Sequence, residues 1–495
     1  MKAYSFQQTM ICGSLGFLGG VMLHAYTPLD QIALWIPGAI LLMGCCIPNR
    51  VARILLIFCA IGLFRFDLTL PSVRDPLGLR TGQVLTMEGR IASVRSYQAV
   101  LDVRVAEGVN IHSKSHVSFS SQGKWIAVGE RWRVTCRLEK NEKSERRFQL
   151  WDARKGIFFR CRGSTSAVRV EEAVPTDLIA VLAKWRLSIS RHIDRILPGD
   201  EGALLAGILY GERSLSPEAN EAFKYAGMTH LIAVSGSNIV LVVSLFVPFF
   251  LWIGYRRPTA ILLSGGAILL FSLFVGAEAS VVRAAIMGWL AVLARVFGRK
   301  PQAVHLLLMA GTVMVLFDPW ALAFDAGFAL SFLATWGLIA WTEPLSHVLR
   351  WIPKWFGLRE IVATTTAATL ITTPYLLWAF ESVSLAGLVT NLFAIPIVGF
   401  AMLWGAVALV FGSWISWLSY PAQGALQAML LIASFANRFP FLKIALSIPV
   451  WLVFVSYGCI VLHWRLCLGK ERDYPQESSN INQLSRTTQA FVRPF

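Results

Sequence analysis

Charge is scarce in this chain. Only 15% of its 495 residues are Asp, Glu, Lys or Arg, against about a quarter in an ordinary globular chain. With 55% hydrophobic residues, that shortage excludes a disordered chain, a collagen-like chain and a soluble multidomain enzyme, and it points to a membrane protein. Acidic residues are scarcer than basic ones: 29 Asp and Glu face 45 Lys and Arg, a formal net charge of +16. Histidine is limited to eight. Two of these, His112 and His116, lie four apart, but in a loop-like or strand-like segment without a third His, which argues against a zinc centre. No H-x-H-x-D-H run, no Walker A loop and no G-x-G-x-x-G after a strand occurs. No strong motif for catalysis, metal binding or cofactor binding is present.

Apolar runs are there in number. A transmembrane helix needs about 17 to 25 mostly apolar residues. Three runs near the start qualify at the short end, over 10–26, 31–47 and 51–66. Nine more follow, at 229–251, 258–276, 279–297, 303–317, 326–342, 361–380, 383–411, 415–435 and 444–464. No small-x-small cleavage site follows the first run, so it reads as a retained helix rather than a signal peptide. Gly16 and Gly20, four apart within it, suit close approach of another helix.

Between the two apolar blocks the pattern changes. Val84–Arg95, Ala99–Ala106, His116–Ser120, Arg131–Leu138 and Gly156–Val170 alternate as strands, separated by Gly, Asn and Ser. Five short strands in about 90 residues suit a small antiparallel barrel of OB-fold size; an immunoglobulin-like sandwich would need more. From Thr176 to Leu197 the period lengthens. Leu178, Leu182, Trp185, Ile189, Ile193 and Ile196 form a stripe with Lys184, Arg191 and Arg195 off it, an amphipathic helix suited to the membrane face or to packing on the bundle. The tail is polar, rich in Ser, Asn and Gln, and is expected to be disordered.

Lys and Arg in short loops mark the cytoplasmic side. Arg50 and Arg53, Arg256 and Arg257, Arg299 and Lys300, the group Arg350, Lys354 and Arg359, and Arg465, Lys470 and Arg472 assign one side as cytoplasmic, with both termini there. The strand domain then lies outside. Arg438 and Lys443 are an exception, because they fall outside too. Of eight Cys, only Cys136 and Cys161 lie in the strand domain, where an oxidising exterior would let them pair.

Between Asp67 and Pro175 there are 19 Lys and Arg against 12 Asp and Glu, a surplus of seven positive charges. Arg131, Arg133 and Lys124 are interleaved with Phe119, Trp125 and Trp132. Cations that track phosphates beside rings that stack on bases are what single-strand binding requires, although the same rings could be barrel core and the cations a solvated face. Ionisable residues at membrane depth are costly and usually functional. His230 opens a helix interrupted by Ser235, Gly236, Ser237 and Asn238; Glu278 and Arg283 flank the next outer turn, Asp318 and Asp325 a third, and Thr372, Thr373, Glu381 and Asn391 a fourth. Together they imply a polar vestibule below the strand domain, with Lys224 at its entrance. For each residue alone a structural role is the competing reading, such as an ion pair between Glu278 and Arg283.

Several of these stretches resemble a known family. Gly207-Ile-Leu-Tyr-Gly-Glu-Arg-Ser-Leu-Ser-Pro217, then Glu221-Ala-Phe-Lys-Tyr-Ala-Gly-Met-Thr-His-Leu-Ile-Ala-Val-Ser-Gly-Ser-Asn238, are similar to the signature of the ComEC family of bacterial competence DNA-uptake channels. So are Gly276-Ala-Glu-Ala-Ser-Val-Val-Arg-Ala-Ala285, Asp318-Pro-Trp-Ala-Leu-Ala-Phe-Asp-Ala-Gly-Phe-Ala-Leu-Ser-Phe332 and Asn391-Leu-Phe-Ala-Ile-Pro396. The similarity covers about residues 68 to 410. It implies that one strand of incoming DNA crosses the cytoplasmic membrane after capture by an external OB-like domain. Family members often add a metallo-β-lactamase-like domain; about 30 polar residues after position 465 would not hold one, so a short form is expected. After the Gly that follows Ser235, the family often has Leu-His where this chain has Ser237-Asn238.

The expected fold is thus a polytopic α-helical membrane protein with an inserted OB-like β-barrel. It divides into a three-helix block (1–67), the OB-like domain (68–175), amphipathic and linker helices at the outer face (176–228), the channel domain (229–466) and a cytoplasmic tail (467–495). The expected function is translocation of single-stranded DNA across the bacterial inner membrane, without a cofactor or catalytic residue. Expected partners are the bilayer, an extracytoplasmic DNA receptor with its uptake machinery, and a cytoplasmic DNA-binding or motor protein. A homo-oligomer is as compatible as a pore within one chain. The alternative is a permease for a small anionic solute, using Glu278, Arg283 and Asp325. A third reading, an intramembrane hydrolase using Ser235 and His230, is disfavoured by their separation across a helix start.

Overall fold

The computed structural model describes residues 2–26, 35–47, 49–69, 82–95, 98–118, 129–140, 157–171, 178–212, 214–232, 246–276, 279–296, 302–353, 357–412, 414–439 and 442–463. The chain opens with α1 (Lys2–Tyr26), α2 (Trp35–Cys46) and α3 (Arg50–Asp67). Helices α1 and α3 touch backbone to backbone. A Cβ at Gly16 or Gly20 would collide with the carbonyl of Leu55 or Cys59, and one at Gly62 with that of Phe17. The four-residue spacing puts Gly16 and Gly20 on one face, so close approach is built into the sequence.

Five strands follow: β1 (Val84–Arg95), β2 (Gln98–Ala106), β3 (Val109–Ser118), β4 (Arg131–Lys140) and β5 (Ile157–Glu171). They are ordered β1-β2-β3-β5-β4, and β4 pairs back to β1. All pairings are antiparallel except β3 with β5. Strand β3 starts seven residues before the expected His116, because Glu107 and Gly108 both take positive φ and close a two-residue turn between Ala106 and Val109. Leu85, Met87, Ile91, Leu101, Val103, Val134 and Leu138 fill the interior. Cys136 and Cys161 lie among them, disulfide-bonded with Cα atoms 5.5 Å apart.

The remaining helices are α4 (Leu178–Ile196), α5 (Asp200–Tyr210) and α6 (Pro217–Tyr225), then α7 (Arg257–Val275), α8 (Ala279–Val296), α9 (Ala303–Phe317), α10 (Pro319–Phe324), α11 (Ala326–Val348) and α12 (Leu358–Phe380). A short strand β6 (Ser382–Ser384) leads into α13 (Gly387–Phe411). After α14 (Tyr420–Ala436), strand β7 (Lys443–Ala445) precedes α15 (Val450–His463). A helical turn spans Thr229–Ile232, and residues 246–252 are helical.

Helices α4 to α6 are woven into the bundle. Ile193, Leu197, Leu204, Leu205 and Phe223 share one core with Ala394, Ala401 and Met402 of α13 and Leu426 and Met429 of α14. The N-terminal block docks elsewhere: Phe17, Val21 and Phe66 pack with Met314, Trp320 and Phe328. Trp320 Nε1 donates to Thr69 Oγ1 at 3.0 Å, and Arg65 Nε to the Leu316 carbonyl at 2.7 Å.

The chain has the composition and helices of a membrane protein. Among the described residues, Gln8–Tyr26, Leu358–Phe380 and Gly387–Phe411 are long and apolar enough to cross a bilayer. Several expected runs coincide with helices: 10–26 lies within α1, 51–66 within α3, 303–317 is α9, and 326–342 and 361–380 lie within α11 and α12. The runs at 383–411 and 444–464 each surrender their first turn to β6 or β7, and parts of the runs at 31–47 and 229–251 lie outside the described residues. Trp252, Trp351 and Trp414 stand 78–84% exposed at helix ends, where indoles favour the membrane interface.

Candidate nucleic-acid path

On the strand unit, alternation turns Glu88, Arg131 and Arg133 outward, and the β1–β4 register sets Glu88 opposite Arg133. Glu88 is shared. Arg131 Nε lies 2.8 Å from one carboxylate oxygen, and Arg133 forks onto the other at 3.0 and 3.2 Å. Arg131 also reaches Glu171 at 3.6 Å. Trp132 packs against the interior and donates Nε1–H to Glu130 at 2.8 Å, and Arg169 approaches the same carboxylate at 3.4 Å. All three described members of the expected single-strand surface are therefore engaged with carboxylates. Phe119, Lys124 and Trp125 lie outside the described residues.

Two polar clusters form in the helical unit. The first surrounds Arg283 on α8. Its guanidinium is buried, donates to both the carbonyl and the hydroxyl of Ser331 on α11, and stands 5.8 Å from the Phe332 ring centroid. Its Nε is buried and has no partner among the described residues. Asp325 is six residues before Ser331, about 9 Å along the chain if measured at helical rise, and it caps α11 by accepting from Gly327 N at 2.8 Å and Phe328 N at 3.3 Å. Asp318 caps α10 in the same way. Glu278 lies outside the described residues.

The second cluster sits where α6 meets the start of α13. Gly227, at φ +67°, rests on Gly387, so close that a Cβ would come within 3.0 Å of the Gly387 Cα. His230 is exposed, with Nδ1 3.1 Å from the Gly227 carbonyl. Thr390 donates to the Ala226 carbonyl at 2.8 Å. Next to it, Asn391 is buried, and its Oδ1 has no partner among the described residues. Lys224 pairs with Glu221 at 2.5 Å, and that hydrogen bond holds the Glu221 carboxyl below the usual carboxylate range. Ser235, Gly236, Ser237 and Asn238 lie outside the described residues.

Strands β6 and β7 pair residue for residue, Ser382 with Ala445 and Ser384 with Lys443. The exceptional basic loop therefore shares one end of the bundle with Glu381, and Lys443 Nζ stands 4.4 Å over the Tyr225 ring of α6. Sequence reasoning did not assign Ser331, Thr390, Tyr225 or Lys443. Ser331 lay within a motif and Lys443 stood out as the misplaced charge, but only the fold shows what they touch. Thr372 and Thr373 bond back to their own helix.

Both clusters fall in one stretch of chain with known relatives. Residues 208–470 match the family described as Competence protein. The chain belongs to the competence-protein family. Among its relatives are ComE operon protein 3 of Bacillus subtilis (strain 168), 27% identical over 227 residues, which are 45% of this chain and 28% of that protein. Competence protein ComA of Neisseria gonorrhoeae is 28% identical over 360 residues, 67% of this chain and 46% of that protein. The chain thus matches less than half the length of either relative. No solved structure matches it. The family stretch starts inside α5 and takes in α6 to α15, so both polar clusters lie within it, while the strand unit and the N-terminal block lie before it.

Proposed function

We propose that this chain is a multi-pass channel of the bacterial cytoplasmic membrane, through which one strand of DNA passes inward during natural transformation, with both termini cytoplasmic. The observation that carries the reading is the match of the helical unit to a family named for competence, with relatives whose names say the same. In this reading the strand unit is an OB-like external domain. Its strand order and the parallel β3–β5 pairing support that assignment. Arg283, Lys224, His230 and the 235–238 segment line the way, and Asn391, buried with no partner for its Oδ1 among the described residues, faces the same need for polar contact. A channel performs no covalent step, so a cytoplasmic DNA-binding or motor protein, or an ion gradient, supplies the drive. A permease for a small anionic solute draws less support, because Asp325 is spent as a helix cap. Deletion of the gene, followed by measurement of labelled DNA in the cytoplasm as distinct from the periplasm, tests the proposal. Cytoplasmic import is expected to vanish, and unchanged import defeats it.

A further inference from the structure

Helix α4 joins the strand unit to the bundle, and the second half of its apolar stripe, from Ile189 on, packs on protein. Ile193 and Leu197 are core residues, with Ile189 and Ile196 packed against them. Polar anchors fix the same side: Arg186 Nε meets Glu212 at 2.9 Å, Ser190 meets Tyr210 at 2.8 Å, and His192 Nε2 lies 3.2 Å from the Leu409 carbonyl of α13. The opposite edge is open. Lys184, Trp185, Ser188, Arg191 and Arg195 are exposed, Trp185 to 66%. Positions 184, 188, 191 and 195 share one helix face and extend over about 16 Å.

An interfacial helix anchors a protein by burying its apolar face in lipid. Here that face packs on α5, α7 and α13, and among the described side chains of α4 Trp185 is the large apolar group left exposed. Cations beside an exposed ring are instead the combination that holds a single nucleic-acid strand, by phosphate neutralisation and base stacking. Position favours this too. The steps from Glu171, the end of β5, to Leu178 reach at most about 25 Å, and the far end of α4 lies against α13, where Ile196 meets Gly412.

We propose that the exposed edge of α4, with Lys184, Trp185 and Arg195, is a track that passes a single DNA strand from the strand unit to the helical unit. The inference rests on the channel reading above and adds a surface that the path residues do not include. The test uses the full chain in membranes, with a photo-crosslinking amino acid at Ser188 and a labelled single-stranded oligonucleotide. The probe is expected to capture the oligonucleotide, and less of it as salt rises. Replacing both cations (K184Q with R195Q) is expected to reduce the slope of log affinity against log salt by about 1.4, at about 0.7 per phosphate contact on a single strand. W185A is expected to weaken capture without changing that slope, and K184R with R195K to retain both capture and import. Capture of lipid alone at position 188 overturns the track. So does an unchanged slope and unchanged DNA import in the double glutamine variant, provided that gene deletion abolishes import; the channel reading then stands. If deletion leaves import intact, the channel reading itself has failed.

Discussion

Placing alanine at Gly20 puts a methyl group where α1 and α3 touch. Its Cβ would collide with the Cys59 carbonyl, whereas a Cβ at Gly19, one position along the same helix, meets nothing within 4 Å. Both substitutions gain the same helix propensity, up to about 1 kcal/mol, so their difference isolates the contact. The carbonyl belongs to a helix backbone and cannot swing aside, so α1 must move away from α3. The well-buried Phe17, Val21, Leu63 and Phe66 then lose part of their close contact. Overpacking of this kind costs about 1 to 3 kcal/mol. In lipid, where no hydrophobic drive holds helices together, close packing carries much of the association. The Cys59 thiol is the reporter. With the other free thiols replaced by serine, its rate of reaction with a maleimide in native membranes reads the opening of this helix pair. Relative to Gly19→Ala, Gly20→Ala is expected to raise that rate about five- to 150-fold, the range that 1 to 3 kcal/mol corresponds to. Equal rates in the two variants would refute the backbone contact.

Three further outcomes are expected. Cys136→Ser opens a loop of about 25 residues and should destabilise the strand unit by about 3.5 kcal/mol on the chain-entropy account, visible as a lower midpoint in thermal unfolding of the full chain; a midpoint unmoved by the substitution counts against the bond. Arg283→Leu removes a buried cation whose Nε has no partner among the described residues, so accumulation of the protein should be unchanged or improved while labelled DNA no longer reaches the cytoplasm, and normal import would remove Arg283 from the path. Asp325→Ser keeps a capping oxygen and should preserve import, whereas Asp325→Ala should cost about 0.5 to 2 kcal/mol of stability; import lost in the serine variant would show that the charge itself is needed.

The strands were legible because alternation is local: β1, β2, β4 and β5 lie within two residues of the pattern at either end. The pattern starts β3 at His116 because the strand's polar first half, Val109 to Ser115, carries little apolar alternation, and the turn before it depends on Glu107 taking a positive φ. Asp318 and Asp325 were readable as caps. Asp318 precedes Pro319, the residue favoured at the first helical position, yet the sequence pattern places both carboxylates with the path residues, because an ionisable group at membrane depth is usually functional. What Arg131, Arg133 and Trp132 touch was not legible. It follows from the β1–β4 register and from Glu88 and Glu130, which strand packing brings into reach. Arg283 was found by its charge, but its partner Ser331 is 48 residues away on another helix.

The short β6–β7 ladder has a mechanical consequence. Helices α13 and α14 form a hairpin, and the ladder ties its two loose ends into a loop, reinforced by Leu385 N to the Leu442 carbonyl at 2.8 Å and Leu446 N to the Glu381 carbonyl at 3.0 Å. Splaying the hairpin at that end breaks every one of these bonds, whereas splaying it at the 412–419 turn breaks none of them. The hairpin is therefore held at both ends by different means, by backbone bonds at the ladder and at the far end by the side chains of α4, with His192 on the Leu409 carbonyl.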